Sequence, residues 1–288
     1  MKILILGHKG MLGFDLMLKL HPANELTGKD IDDFDITSPD DCRDIISESK
    51  PDCVINAAAF TNVDACETEK ERSFDVNALG VKNIVEACKK RNVKIVHFST
   101  DYVFDGTKNS PYTEKDICNP INFYGQTKRE GETFLHALSQ NYLVIRTSWL
   151  YGINGRNFVK TIMQKAQTEK KLEVVNDQIG SPTYTKDLAG AVKLLLEKNQ
   201  TGIFHVTNRG HCSWYDFAVK ILQNNNMTDV TVNPVKTEQF VRPAMRPAYS
   251  VLSNRKLHET TGKMMRPWQI ALMDYLDLER FKNTITAS

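Results

Sequence analysis

Apolar positions in the first half of the chain fall into short, nearly continuous runs separated by longer stretches with helical spacing. The runs are Ile3 to Leu6, Cys53-Val54-Ile55-Asn56, Lys94-Ile95-Val96-His97-Phe98 and Tyr142-Leu143-Val144-Ile145-Arg146. Segments that lack polar alternation read as strands covered on both faces, the arrangement of a parallel sheet. Between them, Leu12, Leu16 and Leu20 share one face of a helix. Ser38-Pro39-Asp40-Asp41 supplies a capping hydroxyl, an N1 proline and acidic side chains at a helix start, and Ser213-Trp214-Tyr215-Asp216 marks a similar one. Strand and helix alternation predicts an α/β fold with a doubly wound parallel sheet over residues 1–150. Beyond about residue 150 the pattern loosens around Pro182, Pro234, Pro243, Pro247 and Pro267. That punctuation predicts a smaller, irregular portion over 151–288, with segments crossing back to the sheet.

A length of 288 residues, 41% of them hydrophobic, is enough to bury a large core. The 37 basic and 35 acidic residues are scattered, giving a net charge of +2 without the basic stripe that nucleic acid requires. Cys42, Cys53, Cys66, Cys88, Cys118 and Cys212 are widely spaced with no C-x-x-C pair, so reduced structural thiols are expected, with neither a zinc site nor a disulfide framework. The run from Ile3 to Leu6 is too short for a signal peptide or membrane span, and a cytoplasmic location without membrane association is the expectation.

Five segments carry candidate chemistry. Gly7-His8-Lys9-Gly10-Met11-Leu12-Gly13 follows the first strand and opens a helix. Glycines there permit a tight turn and close backbone approach, and the helix start offers free N–H groups and a positive dipole end to a pyrophosphate. The equal spacing of Gly7, Gly10 and Gly13 differs from the G-x-G-x-x-G fingerprint, but its place at the first strand-to-helix turn fits a Rossmann-like, dinucleotide-binding portion. Downstream, Asp30, Asp32, Asp33 and Asp35 crowd the region where an adenosine ribose would lie, while Lys29 is a candidate partner for a 2′-phosphate, so NADH and NADPH both remain open. Asn56-Ala57-Ala58-Ala59 ends another strand in small side chains, suited to a flat cofactor or to tight packing.

Tyr124-Gly125-Gln126-Thr127-Lys128 places a phenol and an ammonium on one helix face. A phenol with a pKa of about 10 is a poor proton donor near neutrality, and an adjacent cation is expected to lower it. Ser99-Thr100-Asp101-Tyr102-Val103-Phe104 follows the strand ending at Phe98, so the Thr100 hydroxyl is expected at the carboxyl end of a parallel strand, where such sheets bind ligands.

These motifs, with Arg146-Thr147-Ser148-Trp149, Asn157-Phe158-Val159-Lys160-Thr161, Asn176 to Thr183, and Arg246-Pro247 with Ser250, occur in an order that resembles the dTDP-4-dehydrorhamnose reductases of the extended short-chain dehydrogenase/reductase family. The likeness spans most of the chain. It implies reduction by NADPH or NADH of the C4 ketone of dTDP-4-dehydro-6-deoxy-L-mannose to dTDP-L-rhamnose, for cell-surface polysaccharide biosynthesis. It implies that Gly10, Met11, Leu12, Asp35, Ile36, Ala59, Phe60, Thr61 and Phe98 contact the dinucleotide, together with Tyr124 and Lys128; Gly7 and Gly13 join them from the glycine turn, and Ala58 from the small side chains that end the strand at Asn56. It also implies that Thr100, Asp101 and Trp149 touch the sugar nucleotide. The catalytic set is then Tyr124 as acid, Lys128 as its tuning cation and ribose contact, and Thr100 on the carbonyl oxygen.

Arg146, Arg209, Arg242 and Arg246 are the arginines available to the substrate diphosphate, with Arg246 favoured because Arg246-Pro247 fits the family pattern. Phe60 and Asn62 depart from the pattern, and Phe98 stands where tyrosine is frequent, so contacts there are expected through the backbone. Some similar proteins are dimers bridged by Mg²⁺; a homodimer is compatible with the chain, but no carboxylate cluster specifies the ion and no catalytic metal is expected. An epimerase or dehydratase of the same family, another sugar-nucleotide reductase, and a non-catalytic regulatory subunit are the alternatives.

Overall fold

The computed structural model describes residues 1–89 and 91–286, with side chains placed through 282. Among the described residues twelve strands follow in chain order: β1 (Lys2–Leu6), β2 (Glu25–Lys29), β3 (Cys53–Asn56), β4 (Lys94–Thr100), β5 (Tyr142–Thr147), β6 (Leu150–Tyr151), β7 (Lys171–Val175), β8 (Ile179–Gly180), β9 (Thr183–Tyr184), β10 (Gly202–His205), β11 (Cys212–Ser213) and β12 (Thr231–Val235). The helices are α1 (Met11–Leu20), α2 (Pro39–Ser49), α3 (Val63–Thr68), α4 (Lys70–Phe74), α5 (Gly80–Lys89), α6 (Phe123–Leu138), α7 (Phe158–Thr168), α8 (Thr185–Glu197), α9 (Trp214–Asn224), α10 (Arg255–Thr261) and α11 (Trp268–Thr286).

Six strands form one parallel sheet in the order β10-β5-β4-β3-β1-β2. All seven residues of β4 are buried, which explains its unbroken apolar reading at the centre of the sheet. On one face, Leu12 and Leu16 of α1 pack with Leu188, Val192 and Leu195 of α8 against Ile3, Ile5 and Ile55. On the other, Ile45 and Ile46 of α2 and Val81, Ile84 and Val85 of α5 cover Leu4, Val54 and Ile95. Each such side chain contributes about 1.5–3 kcal/mol on burial. Residues 185–206 thus return to the sheet, α8 onto one face and β10 onto the β5 edge.

Both expected helix starts are present. Ser38 Oγ accepts from Asp41 N–H at the head of α2, and Ser213 and Asp216 form a reciprocal capping box at α9. A second apolar core, including Tyr151, Val159, Ile162, Phe217, Trp268 and Tyr275, joins α7, α9 and α11. Beside β4 lies a small cluster of Val103, Phe104, Tyr112 and Leu252.

β1 pairs with β2 on one side and β3 on the other, so the chain reverses its direction across the sheet there. Crevices at such reversals, outside the carboxyl ends of the strands, are where doubly wound sheets take ligands. The loops after β1, β3 and β4 all open at that end.

Candidate active site

The turn after β1 admits no side chain at Gly7 or Gly13. Gly7 has φ +78°, and a Cβ there would stand 2.7 Å from the Ala58 nitrogen. At Gly13 a Cβ would lie 2.1 Å from the Gly7 carbonyl oxygen. Gly10 is the N-cap of α1 and supplies no capping side chain. The first turn of α1, which includes Met11, Leu12 and Gly13, therefore presents backbone N–H groups toward the crevice, a cradle suited to a pyrophosphate.

Across the crevice, Ala58 and Ala59 are half-buried, and Ala58 N–H donates to Asn56 Oδ1 at 3.1 Å. Asn77 braces Phe60 through two bonds, accepting from its N–H at 2.9 Å and donating to its carbonyl at 3.0 Å. Asn77 sits in a π-helical turn, Asp75–Leu79, between α4 and α5, a local widening often found beside functional sites. Thr61 is exposed, and Asn62 caps α3 by accepting from Ala65 N–H at 3.1 Å. On the β2 side, Asp35 is exposed and bonds Thr37, Ile36 is buried, and Lys9 is paired with Asp32. Phe98 is buried within the sheet core.

Asn122 caps α6 by accepting from Gly125 N–H at 2.8 Å, which sets Tyr124 and Lys128 one turn apart beside the end of β4. Close approach is possible because residue 125 is glycine: a Cβ there would lie 2.1 Å from the Tyr102 carbonyl oxygen. The Tyr102 and Tyr124 rings meet edge to face at 6.1 Å. Burial pushes the Tyr124 phenol above its ordinary range, the Asp101 carboxylate adds to the rise, and the Thr100 hydroxyl opposes it. The lowering expected from Lys128 does not govern this arrangement, because desolvation of the phenol is the largest effect. Lys128 is itself buried, which pulls its amine down to about 8.

Thr100 Oγ1 donates to Asp101 Oδ1 at 3.0 Å and accepts from Tyr102 N–H at 3.1 Å. Asp101 is only 2% exposed, and Ser250 Oγ donates to its other oxygen at 2.5 Å.

Adjoining this cluster is a cavity of about 570 Å³ whose walls include Tyr102, Phe158, Gln178, Trp214, Arg242 and Arg246. Arg246 Nη1 lies 2.5 Å from Asp64 Oδ1, with Arg242 at 3.6 Å from the same carboxylate. Of the other arginines considered from the sequence, Arg146 is buried against Glu132, and Arg209 is exposed and bonds Met264 Sδ. Trp149 has φ +48° and stacks on Trp214, with ring centroids 3.5 Å apart and planes 9° from parallel. The absence of a side chain at Gly180 makes room for it, since a Cβ there would be 2.4 Å from the indole.

The sequence profile of the family described as the RmlD substrate binding domain matches residues 1–281. The chain belongs to that family. It is 46% identical to a solved dTDP-4-dehydrorhamnose reductase from Clostridium acetobutylicum, with a TM-score of 0.95 over 97% of this chain and 100% of the other. A dTDP-4-dehydrorhamnose reductase from Bacillus anthracis, solved in complex with NADP, superposes with a TM-score of 0.93 at 38% identity, covering 96% and 98% of the two chains. The spore coat polysaccharide biosynthesis protein SpsK of Bacillus subtilis (strain 168) is 41% identical over 96% of each chain.

In this RmlD-family chain, the structure brings Tyr124, Lys128, Thr100 and Asp101 to one end of the sheet, with the glycine cradle at the same end. Phe158, Gln178 and Trp214 were not singled out as site residues from the sequence, although Phe158 and Gln178 lie in motifs that carried the resemblance. Asn77 gave no signal at all, since a lone asparagine in a helical stretch has no characteristic spacing. Among the described residues, no group of three or more His, Cys, Asp or Glu side chains is placed to hold a metal ion. No helix among them is long and apolar enough to cross a membrane.

Proposed function

We propose that the protein is an NAD(P)H-dependent dTDP-4-dehydrorhamnose reductase, reducing the C4 ketone of dTDP-4-dehydro-6-deoxy-L-mannose to dTDP-L-rhamnose. The observation that carries this reading is the cluster of Tyr124, Thr100 and Lys128 at the end of the sheet that also holds the glycine turn, with an arginine-bearing cavity adjoining it at Tyr102. Its support from relatives is full-length: the two solved reductases cover 97% and 96% of the chain, one of them with NADP.

When bound, the dihydronicotinamide supplies the hydride for the substrate carbon. Gly7, Gly10 and Gly13 let the backbone approach the dinucleotide, and the start of α1 holds its pyrophosphate. Ala58, Ala59, Phe60 and Thr61 line the opposite wall. Asp35 and Ile36 would hold the adenosine part of the dinucleotide, and Phe98 would contribute backbone contact to it.

Tyr124 gives its proton to the oxygen that becomes the alkoxide, and its raised pKa keeps that proton in place until negative charge develops. Lys128 in its charged form stabilises the phenolate left behind and reaches the nicotinamide ribose. Thr100 hydrogen-bonds the same substrate oxygen and fixes its direction. Asp101 and Trp149 form the sugar side of the pocket. Arg246, with Arg242 beside it, faces the diphosphate across the cavity shared with Trp214 and Phe158. The boundary near residue 150 separates the dinucleotide-binding portion from the substrate-binding portion, apart from the returning segment 185–206.

The test is absorbance at 340 nm with NADPH or NADH and the keto sugar nucleotide generated in place. Steady oxidation in the wild type that falls about 10²–10⁴-fold in Tyr124→Phe, with dinucleotide affinity retained, is the expected result. Near-normal turnover by Tyr124→Phe removes the acid assignment, and no oxidation with either dinucleotide removes the reductase reading.

A further inference from the structure

The hydroxyl of Thr100 has one proton and two lone pairs. Its proton is given to Asp101 Oδ1 at 3.0 Å, and one lone pair takes the Tyr102 N–H at 3.1 Å. While Asp101 is ionised, Thr100 has no proton left for a substrate oxygen. One lone pair is left over.

Asp101 is placed to change this. It is 2% exposed, and among the described residues no cation pairs with it. Arg246, on the adjoining loop, is held instead by Asp64 on α3 and by the Ala244 carbonyl. The remaining titratable groups around Asp101 are the phenols of Tyr102 on its own turn and Tyr124 on α6, both protonated near neutrality. A buried carboxylate without a cation favours its neutral form. Ser250, 149 residues away in sequence, donates to Oδ2 at 2.5 Å and is itself anchored by its N–H to the Ile179 carbonyl at 2.8 Å. Both carboxylate oxygens accept a hydroxyl, but only the Thr100 hydroxyl has a second acceptor to turn to, the substrate oxygen; with Ser250 kept on Oδ2, the proton on Asp101 belongs on Oδ1, the oxygen that faces Thr100.

We infer that Asp101 is a positioning residue that sets the direction of the Thr100 hydrogen bond, and that Ser250 selects which of its oxygens carries the proton. In the neutral state Asp101 Oδ1–H donates to Thr100, Tyr102 N–H fills the second lone pair, and the Thr100 proton is released toward the substrate oxygen. In the ionised state the bond reverses and Thr100 is lost as a donor. No proton leaves Asp101 during turnover; the alkoxide is protonated by Tyr124, which is recharged from solvent. Burial pushes Asp101 up to about 7, against the opposing effect of the Ser250 and Thr100 hydroxyls, so both states fall within the working pH range.

The inference rests on the reductase reading, and its test is the pH profile of kcat with saturating keto sugar and NADPH. With Asp101 at a midpoint near 7 and Lys128 near 8, wild-type kcat falls about twentyfold between pH 6 and pH 8, about tenfold of it from Asp101. In Asp101→Asn, whose amide never ionises, the same interval produces a fall of no more than about twofold, the part due to Lys128. Ser250→Ala removes a bond that favours the carboxylate, so its midpoint moves to higher pH, with a lower plateau at pH 6 because the proton is no longer steered to Oδ1. Melting temperature and NADPH binding of each variant confirm folding, and Ser250→Ala carries the test if Asp101→Asn does not fold. An unchanged twentyfold fall, about the wild-type value, in Asp101→Asn, or an unmoved midpoint in Ser250→Ala, overturns the inference while leaving the reductase intact. Absence of turnover by the wild type at every pH overturns the reductase reading and this inference with it.

Discussion

The amine of Lys128 lies 3.4 Å from Nε2 of His97, and the other nitrogen of that ring lies 3.4 Å from the Asn56 amide nitrogen. Asn56 Oδ1 is engaged by Ala58 N–H, so its amino end is the one turned to the ring. Burial, reinforced by Lys128, holds His97 well below the usual histidine range, and the ring is neutral. A neutral ring has a single acceptor nitrogen, so it accepts from the Asn56 amide or from the Lys128 ammonium but not from both, and His97→Leu removes that buried acceptor. The expected cost is about 1–3 kcal/mol of stability in urea unfolding, with kcat reduced about tenfold as Lys128 loses its fixed position. Wild-type kcat in a variant that is destabilised leaves His97 with a packing role only.

Lys128 separates stability from activity. Its folded-state pKa of about 8 lies below the ordinary 10.5, so the folded protein binds fewer protons than the unfolded chain across that window. Stability from this group therefore rises as pH increases from about 8 toward 10.5, and at neutral pH the buried charge is a cost. Lys128→Met is expected to melt no lower than the wild type at pH 7 while losing at least about 100-fold in kcat. A large fall in melting temperature at pH 7 contradicts the first half of this statement.

Glu132 behaves in the opposite sense. Burial alone raises its pKa, but hydrogen bonds and charge from Arg146, aided by Ser99 and Arg129, outweigh this and hold it below the ordinary 4.5. Its contribution is present above the unfolded-state pKa and is lost as pH falls through the lower folded-state value. Glu132→Gln leaves the buried Arg146 charge without its partner and is expected to cost about 3–5 kcal/mol at pH 7. The difference from wild type narrows in melts carried out below pH 4.5; a constant difference at all pH values contradicts the ionic account.

Gly13→Ala forces the turn apart, since its Cβ would meet the Gly7 carbonyl oxygen at 2.1 Å and His8 Cα at 2.7 Å. Both obstacles are backbone. Overpacking of about 1–3 kcal/mol is expected, with NADPH affinity lowered at least about tenfold in fluorescence titration. Unaltered affinity places the dinucleotide away from this turn.

The central strands were legible because both of their faces are covered, which leaves an apolar run no other element produces at that length. The edge strands were not. β2 contains Gly28 and two charged residues, and β10 is only four residues long and borders half-buried positions, so neither has a clear period. Tyr124, Lys128 and Thr100 could be picked out because each follows a local rule, a helix face or a strand end. The cavity walls could not, since Trp214 and Phe158 meet Arg246 only after the second core has formed. Ser250 was visible as part of a motif, but its bond to Asp101 joins residues 149 apart and has no local signature. Local spacing likewise suggested that Lys128 tunes Tyr124, whereas desolvation, a property of the folded surroundings, is the larger effect.

β10 completes the sheet from a point in the chain more than fifty residues beyond β5, after β6 to β9 and α8 have passed. During synthesis, a chain released only as far as residue 150 carries β5 with its outer backbone groups unpaired, beside the apolar side chains of Leu143 and Ile145 that α8 later covers. An emerging polypeptide of this kind is a template for strand exchange with its neighbours on the same messenger. Grafting the first half onto another protein by a cut at residue 150 would reproduce that exposed intermediate permanently, and a transplant that carries 185–206 along with it would not.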